Sequence, residues 1–216
     1  MEDTLNQATT VINYLGLVAF AVSGALAASR KTMDIFGFIL LGTVTGIGGG
    51  TVRDLLLDLP VFWIEEPANL LTCVGVSVLV FFTAHIPQSR YKLLLLVDAI
   101  GLALFAAAGA ERAVLAGADP SVAIAMGCIT ATFGGIIRDM LGAESPVVLS
   151  QEIYVTAAFA GSVIMVVGLS LDLPRAPCLI TAFMVTLVIR LAAIRWNLAL
   201  PRYKPRPGRA PEDIES

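Results

Sequence analysis

Residues 42–58 read "GTVTGIGGGTVRDLLLD" and hold two features that are costly in an apolar helix. The first is the triplet Gly48, Gly49 and Gly50, because each glycine costs about 1 kcal/mol relative to alanine inside a helix. The second is the adjacent pair Arg53 and Asp54, because ionisable residues within a membrane-spanning helix are rare and usually functional. The stretch therefore predicts a helix that bends or opens at the glycines, beside a polar group.

Composition indicates a membrane protein. The chain has 216 residues, of which 57% are hydrophobic and 14% are charged, whereas soluble domains carry about 25% charged residues. The net charge of −3 gives no sign of nucleic-acid binding. The N-terminus "MEDTLNQ" is acidic, which predicts no cleavable signal peptide, and three cysteines in apolar runs argue against a disulfide framework.

Seven apolar segments are long enough to cross a bilayer, which takes about 20 residues. They are residues 10–29, 34–57, 68–86, 92–112, 120–142, 150–171 and 177–196. We predict an all-α membrane protein with a single transmembrane domain at 1–200. The tail at 201–216 is basic and rich in proline, and is predicted to be disordered.

Lysine and arginine are distributed unevenly between the segments that connect the spans. With the N-terminus outside, nine of these residues lie inside and two lie outside, leaving aside the three arginines within spans. The excess of positive charge on the cytoplasmic side predicts an external N-terminus and a cytoplasmic C-terminus.

A second copy of the opening pattern lies 85 residues later, at 127–141, "GCITATFGGIIRDML". The shift aligns Gly49-Gly50 with Gly134-Gly135 and Arg53-Asp54 with Arg138-Asp139, and 16 of the 41 positions from 16 to 56 are identical. We predict a duplication with repeats at about 10–86 and 92–171, followed by a seventh helix at 177–196. Because each repeat crosses the membrane an odd number of times, three, the second repeat must be inverted relative to the first. Ion or substrate paths lie near the interface between such inverted repeats.

The glycines allow two interpretations. Unwound backbone at membrane depth persists only where it is buried in protein or lines water, and its carbonyl groups can then coordinate a cation. Alternatively, small residues allow close helix packing. The hydroxyls of Ser23, Thr45 and Thr130 likewise could replace part of a cation's water or bond their own backbone.

The two Arg-Asp pairs need partners. Neighbouring residues point about 100° apart on a helix, so we predict a cross-repeat exchange in which Arg53 pairs with Asp139 and Arg138 with Asp54. The alternative is that all four side chains are hydrated at the depth of the membrane interface.

Asp98 is a third acid within a span and aligns with Asn13 in the first repeat. An ionisable residue at such a position is a functional candidate, and the alternative is a capping or interfacial role. We expect that Asp98 attracts cations into a polar path and that Asp98→Asn weakens that path.

Enzymatic chemistry is not indicated. No Cys/His metal-ligand spacing is present, and "GIGGGT" lacks the third glycine of a dinucleotide loop. An arginine directly before Asp54 and before Asp139 favours ionised carboxylates over an aspartyl dyad. We expect no cofactor and no resident metal site.

The paired motifs "GGGTVRD" and "GGIIRD", preceded by "YLGLVAFAVSGA" and "DAIGLALFAAAGA", resemble the prokaryotic TRIC (trimeric intracellular cation) channels over about residues 10–196. Members of that family are also labelled glycine transporters. The resemblance implies seven helices, arranged as a repeat of three, an inverted copy of that repeat and one further helix. It also implies a homotrimer with one pore in each protomer. Kinked second and fifth helices, at Gly48–Gly50 and Gly134–Gly135, would line the pore. Phe133 departs from the second glycine triplet.

The resemblance implies passive conduction of monovalent cations, chiefly potassium, in the prokaryotic plasma membrane. The partners would be membrane lipids, the permeant cations and other copies of the chain, and not nucleic acid. A secondary transporter of a small solute such as glycine is the alternative, because it also uses inverted repeats and broken helices. The short chain favours the channel, since alternating access needs larger moving parts.

Overall fold

A computed structural model describes residues 2–87, 89–147 and 153–201, with side chains from residue 10 onward. These ranges contain eight α-helices: α1 (Glu2–Arg30), α2 (Ile35–Leu56), α3 (Phe62–Glu65), α4 (Pro67–Thr83), α5 (Arg90–Leu115), α6 (Pro120–Leu141), α7 (Val155–Ser170) and α8 (Arg175–Trp196). The predicted disordered tail lies outside the described residues except for Pro201.

Each of the seven predicted spans overlaps one helix, and the four-residue α3 was not predicted. Residues 150–152, at the start of the sixth predicted span, lie outside the described residues. Five helices are long and apolar enough to cross a membrane, namely α1 from Thr10 onward, α2, α5, α6 and α8. The helices α4 and α7, with 17 and 16 residues, are apolar but shorter. The length criterion therefore supports five of the seven spans directly.

Corresponding helices of the two repeats end in the same way. The residue after α1 that turns the chain is Thr32, with φ 52°, and its equivalent after α5 is Gly117, with φ 80°. After α2 and α6 the left-handed residues are Asp58 and Ala143, with φ 53° and 50°. A left-handed residue just beyond a helix is a common way to satisfy the last carbonyl groups. The duplication therefore extends to the backbone even where the side chains differ.

The two repeats pack face to face through α1 against α5 and α2 against α6, while α8 packs against α5 and α7. The contacts are reciprocal: a Cβ at Gly16 would overlap the ring of Phe105, and one at Gly101 would overlap the ring of Phe20. The two rings themselves lie 5.3 Å apart between centroids. Reciprocal contacts of this kind are the mark of a two-fold relationship, here between the halves of one chain.

The glycine motifs bring the backbones of α2 and α6 together. A Cβ at Gly49 would overlap the carbonyl oxygen of Thr130, and a Cβ at Gly134 would overlap that of Thr45. Both helices continue without interruption through these positions, so the backbone is not unwound there. Gly49 and Gly134 therefore serve close helix packing, the alternative to an opened helix. Thr45 of α2 lies against Gly134 of α6, and Gly49, further along α2, lies against Thr130, which comes earlier in α6. The two helices are therefore antiparallel.

Large apolar side chains cover the outside of the bundle. Exposed examples on α2, α4 and α8 are Phe36, Leu40, Leu71, Leu79, Phe82, Ile180 and Val188. The core between the repeats is instead filled largely by alanines of α1 and α5, such as Ala25, Ala28, Ala103 and Ala106. An apolar surface of this extent marks contact with lipid or with another protein.

Candidate functional site

Two clusters of charged side chains lie on opposite sides of the crossing of α2 and α6. Each is built on an Arg-Asp pair in the last turn of its helix, Arg53-Asp54 on α2 and Arg138-Asp139 on α6. Because the two helices are antiparallel, their last turns point to opposite ends of the bundle. The clusters are therefore equivalent by sequence but face opposite directions.

The predicted cross-repeat exchange of ion pairs is wrong. The Nε of Arg53 lies 2.8 Å from Oδ1 of its own neighbour Asp54, and the Nε of Arg138 lies 2.8 Å from Oδ1 of Asp139. Neighbouring Cβ atoms diverge on a helix, but the long arginine side chain folds back and reaches the carboxylate.

The second oxygen of each aspartate fastens the segment that follows the helix. The N–H of Phe62 donates to Oδ2 of Asp54 at 3.0 Å, and the N–H of Val147 donates to Oδ2 of Asp139, also at 3.0 Å. These donors are again 85 residues apart. All four motif side chains are buried, so the alternative of hydrated interfacial charges is also wrong. Such buried charges require close pairing.

At the α6 end the cluster is sealed. Nη1 of Arg138 lies 2.5 Å from Oδ1 of Asp98 and also donates to the hydroxyl of Ser23. We call Ser23, Asp98 and Arg138 the latch. The ring of Tyr154 lies beside it and packs under the guanidinium of Arg190 at 5.0 Å. All five residues are at most 2% exposed.

At the α2 end the equivalent position is hollow. Two adjoining cavities lie there, an inner one of about 110 Å³ and an outer one of about 290 Å³, which together we call the vestibule. Both are lined by Asn13, Phe62, Arg112 and Arg175. The inner cavity also reaches Gly50, Arg53, Glu111 and Thr130, and the outer one reaches Glu65, Glu66 and Asn69.

Three differences between the repeats explain why one end is hollow. The shift of 85 residues places Asn13 where the latch has Asp98, Ala108 where it has Ser23, and Asn69 where the sealed end has Tyr154. Asn13 carries no charge to hold Arg53, and Ala108 and Asn69 are smaller than their counterparts. The same backbone thus gives a buried ion pair at one end and a cavity at the other.

Two further ion pairs border the vestibule. Nε of Arg112 lies 3.3 Å from Oδ1 of Asp54, so this aspartate does receive an arginine from the other repeat. Arg175 at the start of α8 pairs with Glu111, whose side chain is 2% exposed. Helix α8, which begins two residues before the predicted seventh span, therefore supplies charge to the vestibule.

The three hydroxyl groups predicted from the sequence have different surroundings. The hydroxyls of Thr45 and Thr130 donate to the carbonyl oxygens four residues earlier, Leu41 and Met126, at 2.5 and 2.6 Å. The backbone-bonding alternative therefore holds for both. Thr130 also lines the inner cavity, whereas Ser23 belongs to the latch.

Sequence reasoning missed several residues of these clusters. Glu111, Arg112, Tyr154, Arg175 and Arg190 lie at span ends or within spans and were not singled out. Two signals were available: Glu111-Arg112 closes a span whose equivalent in the first repeat carries no such charges, and Arg190 is an arginine inside an apolar helix. Across the described ranges, no group of three or more His, Cys, Asp or Glu side chains is placed to hold a metal ion.

A family model described as "Glycine transporter" matches residues 10–85 and, separately, residues 95–170. The two matches are displaced by 85 residues, which is also the displacement of the two sequence copies. Together they cover more than half of the chain.

Solved structures of similar sequence share this fold. A TRIC trimeric intracellular cation channel orthologue from Rhodobacter sphaeroides is 56% identical, with a TM-score of 0.86, over 88% of this chain and 99% of that one. A prokaryotic TRIC channel is 34% identical, with a TM-score of 0.84, over 90% of this chain and all of the other. The inner membrane protein YadS of Escherichia coli K12 is 42% identical over 89% of this chain and 94% of its own length.

Proposed function

Because this chain belongs to the Glycine transporter family, in which the prokaryotic TRIC channels are found, we propose that it is an integral membrane protein that conducts monovalent cations passively. Potassium is the chief permeant ion, and the assembly is a homotrimer with one path inside each protomer. The support is the 56% identity to a TRIC cation channel orthologue over 99% of that chain.

In the proposed topology α1, α2 and α4 cross as one repeat, α5, α6 and α7 cross as its inverted copy, and α8 is the seventh span. A helix of 16 or 17 residues is about 25 Å long, and local thinning of the bilayer accommodates such a shortfall. The asymmetry of lysine and arginine supports an external N-terminus in the plasma membrane. The vestibule then opens outward and the latch faces the cytoplasm.

The path we propose runs from the vestibule past Arg53 and Thr130, through the crossing of α2 and α6, to the latch. The observation that carries it is the alignment of a polar cavity, a glycine crossing and a buried polar cluster along one repeat interface, where membrane proteins with inverted repeats place their sites. Bending at Gly48–Gly50 and Gly134–Gly135 would widen the crossing. Release of Arg138 from Asp98 would open the inner end.

Single-molecule recording in a planar bilayer tests this function. We expect the purified trimer to give discrete potassium currents of fixed unit size, with a reversal potential that favours cations under a potassium chloride gradient. A trimer that is intact by size-exclusion chromatography yet gives no discrete current would contradict the proposal.

One observation favours a second candidate, a secondary transporter of a small solute such as glycine. A cavity at one end and a sealed equivalent at the other is the arrangement that alternating access exploits in inverted repeats. Proteoliposomes loaded with radiolabelled glycine provide the test. Saturable, ion-coupled glycine flux without unitary currents would favour the transporter over the channel.

A further inference from the structure

We propose that the inner cavity of the vestibule binds a small carboxylate anion through Arg53, in the place that Asp98 occupies beside Arg138 at the other end. The proposal concerns binding alone and does not rest on conduction. It follows from a comparison of the two ends of one duplicated structure.

The first step is the environment of the two equivalent arginines. Arg138 has two carboxylate partners, Asp139 through Nε and Asp98 through Nη1. Among the described residues, Arg53 has one carboxylate partner, Asp54, which takes both Nε and Nη2. The position equivalent to Asp98 is Asn13, and it lines the cavity beside Arg53.

The second step is the balance of charge. At the sealed end Arg138 and Arg190 are matched by Asp98 and Asp139. At the inner cavity Arg53 and Arg112 share the one carboxylate of Asp54, and Arg175 pairs with Glu111. Glu65 and Glu66 line only the adjoining outer cavity, which Arg112 and Arg175 also border. Around the inner cavity, three guanidinium groups are therefore opposed by two carboxylates. A buried or partly buried charge is strongly stabilised by an opposite charge with good hydrogen bonding.

The third step is the chemistry of the occupant. Guanidinium groups bind carboxylates through two parallel N–H groups, a geometry that a spherical ion such as chloride does not match. One water takes about 30 Å³ in the liquid, so a cavity of about 110 Å³ has room for an acid of two or three carbons. Glu65 and Glu66 border only the outer cavity, which places the anion in the inner one.

Acetate is the probe for the direct test. Carbon-13-labelled acetate is titrated by NMR into the purified trimer, with total ionic strength held constant by chloride. We expect saturable binding of one acetate per protomer. Linear, unsaturable behaviour, or equal competition by chloride, would overturn the proposal.

Two Asn→Asp variants provide a matched comparison. Asn13→Asp supplies the missing carboxylate from the chain and is expected to weaken acetate binding at least tenfold. Asn69→Asp adds the same charge to the outer cavity only, and is expected to change the affinity less than threefold. Equal effects of the two variants would mean that acetate responds to overall charge and not to a site at Arg53.

Competition between labelled acetate and unlabelled compounds is measured in the wild-type protein. This test therefore does not depend on whether a variant folds. Glycine and acetate carry a carboxylate, and glycinamide does not. If glycine displaces labelled acetate and glycinamide does not, the carboxylate site is supported and amino acids are among its ligands. Displacement by unlabelled acetate alone supports a site for simple acids. Equal displacement by glycinamide overturns the proposal. Bilayer currents test the channel separately, so the two proposals fail independently.

Discussion

Nη1 of Arg138 lies 2.5 Å from Oδ1 of Asp98, and the two side chains are 1% and 2% exposed. While this pair is intact, the charge of Asp98 is compensated and no water-filled space reaches it among the described cavities. In the conduction path proposed above, Asp98 is therefore a closing contact. That role changes the expected result of its substitution.

Under the proposed channel function, we expect Asp98→Asn to raise the open probability at least tenfold. Sequence alone suggested lower conductance, but loss of one partner from a buried ion pair costs about 3–5 kcal/mol, and this cost falls on the closed state. About 1.4 kcal/mol corresponds to a factor of ten. Single-channel recording measures the effect, with the exposed Asp172→Asn as a control that should behave as wild type. Lower unit conductance at unchanged open probability would instead support Asp98 as a cation-attracting group.

The Arg-Asp pairs predict a specific pattern of coupling. Arg53→Ala and Asp54→Ala should be strongly non-additive in thermal unfolding of the purified protein, with a coupling energy of roughly 0.5–3 kcal/mol, the usual range for contacting residues. Arg138→Ala combined with Asp54→Ala should be nearly additive, because these side chains lie in different clusters. If the coupling energy between Arg138 and Asp54 were as large as that between Arg53 and Asp54, the result would instead support ion pairs exchanged between the repeats.

Glycine substitutions separate packing from bending. Gly49→Ala should destabilise the protein strongly and reduce the yield of folded protein, because its Cβ would overlap the backbone of Thr130. Gly75→Ala is the control: no atom lies within 4 Å of the added Cβ, and alanine favours the helix by about 1 kcal/mol. A Cβ at Gly48 crowds the tip of Ile137 at 3.1 Å and lies at an ordinary contact distance of 3.8 Å from the Cα of Gly134, so Gly48→Ala should fold and reveal any effect of bending on conductance. If Gly49→Ala were as stable as Gly75→Ala, the close crossing would be contradicted.

Cysteine labelling tests the two ends and the orientation. In a background with the three native cysteines replaced by alanine, Glu65→Cys at the exposed rim of the outer cavity should react rapidly with a membrane-impermeant thiol reagent added outside intact cells. Ser23→Cys, buried in the latch, should be protected from both sides in the closed state. Labelling of Glu65→Cys only from the cytoplasmic side would reverse the proposed orientation.

Much of the fold could be predicted from the chain itself. Long apolar runs, the breakers between them and the displacement of 85 residues identified the helices and the duplication, because helix length and hydrophobicity are local properties. The short α3 was not predicted, because a helix of four residues, Phe62–Glu65, is too short to show a helical periodicity in the sequence. The residues of the motifs were found, but their partners were not, because a long arginine side chain can reach a neighbour that its Cβ does not face.

The sequence by itself determined that this is a duplicated helical membrane protein with glycines and charges at equivalent positions in both halves. Only the tertiary structure decided what those positions do. Gly49 and Gly134 became contact points because two antiparallel helices cross there, and Arg138 became sealed while Arg53 borders a cavity. The difference between the two arginines depends on what α1, α5 and α7 bring against each one, and contacts between segments far apart in sequence leave little trace in the local pattern of residues.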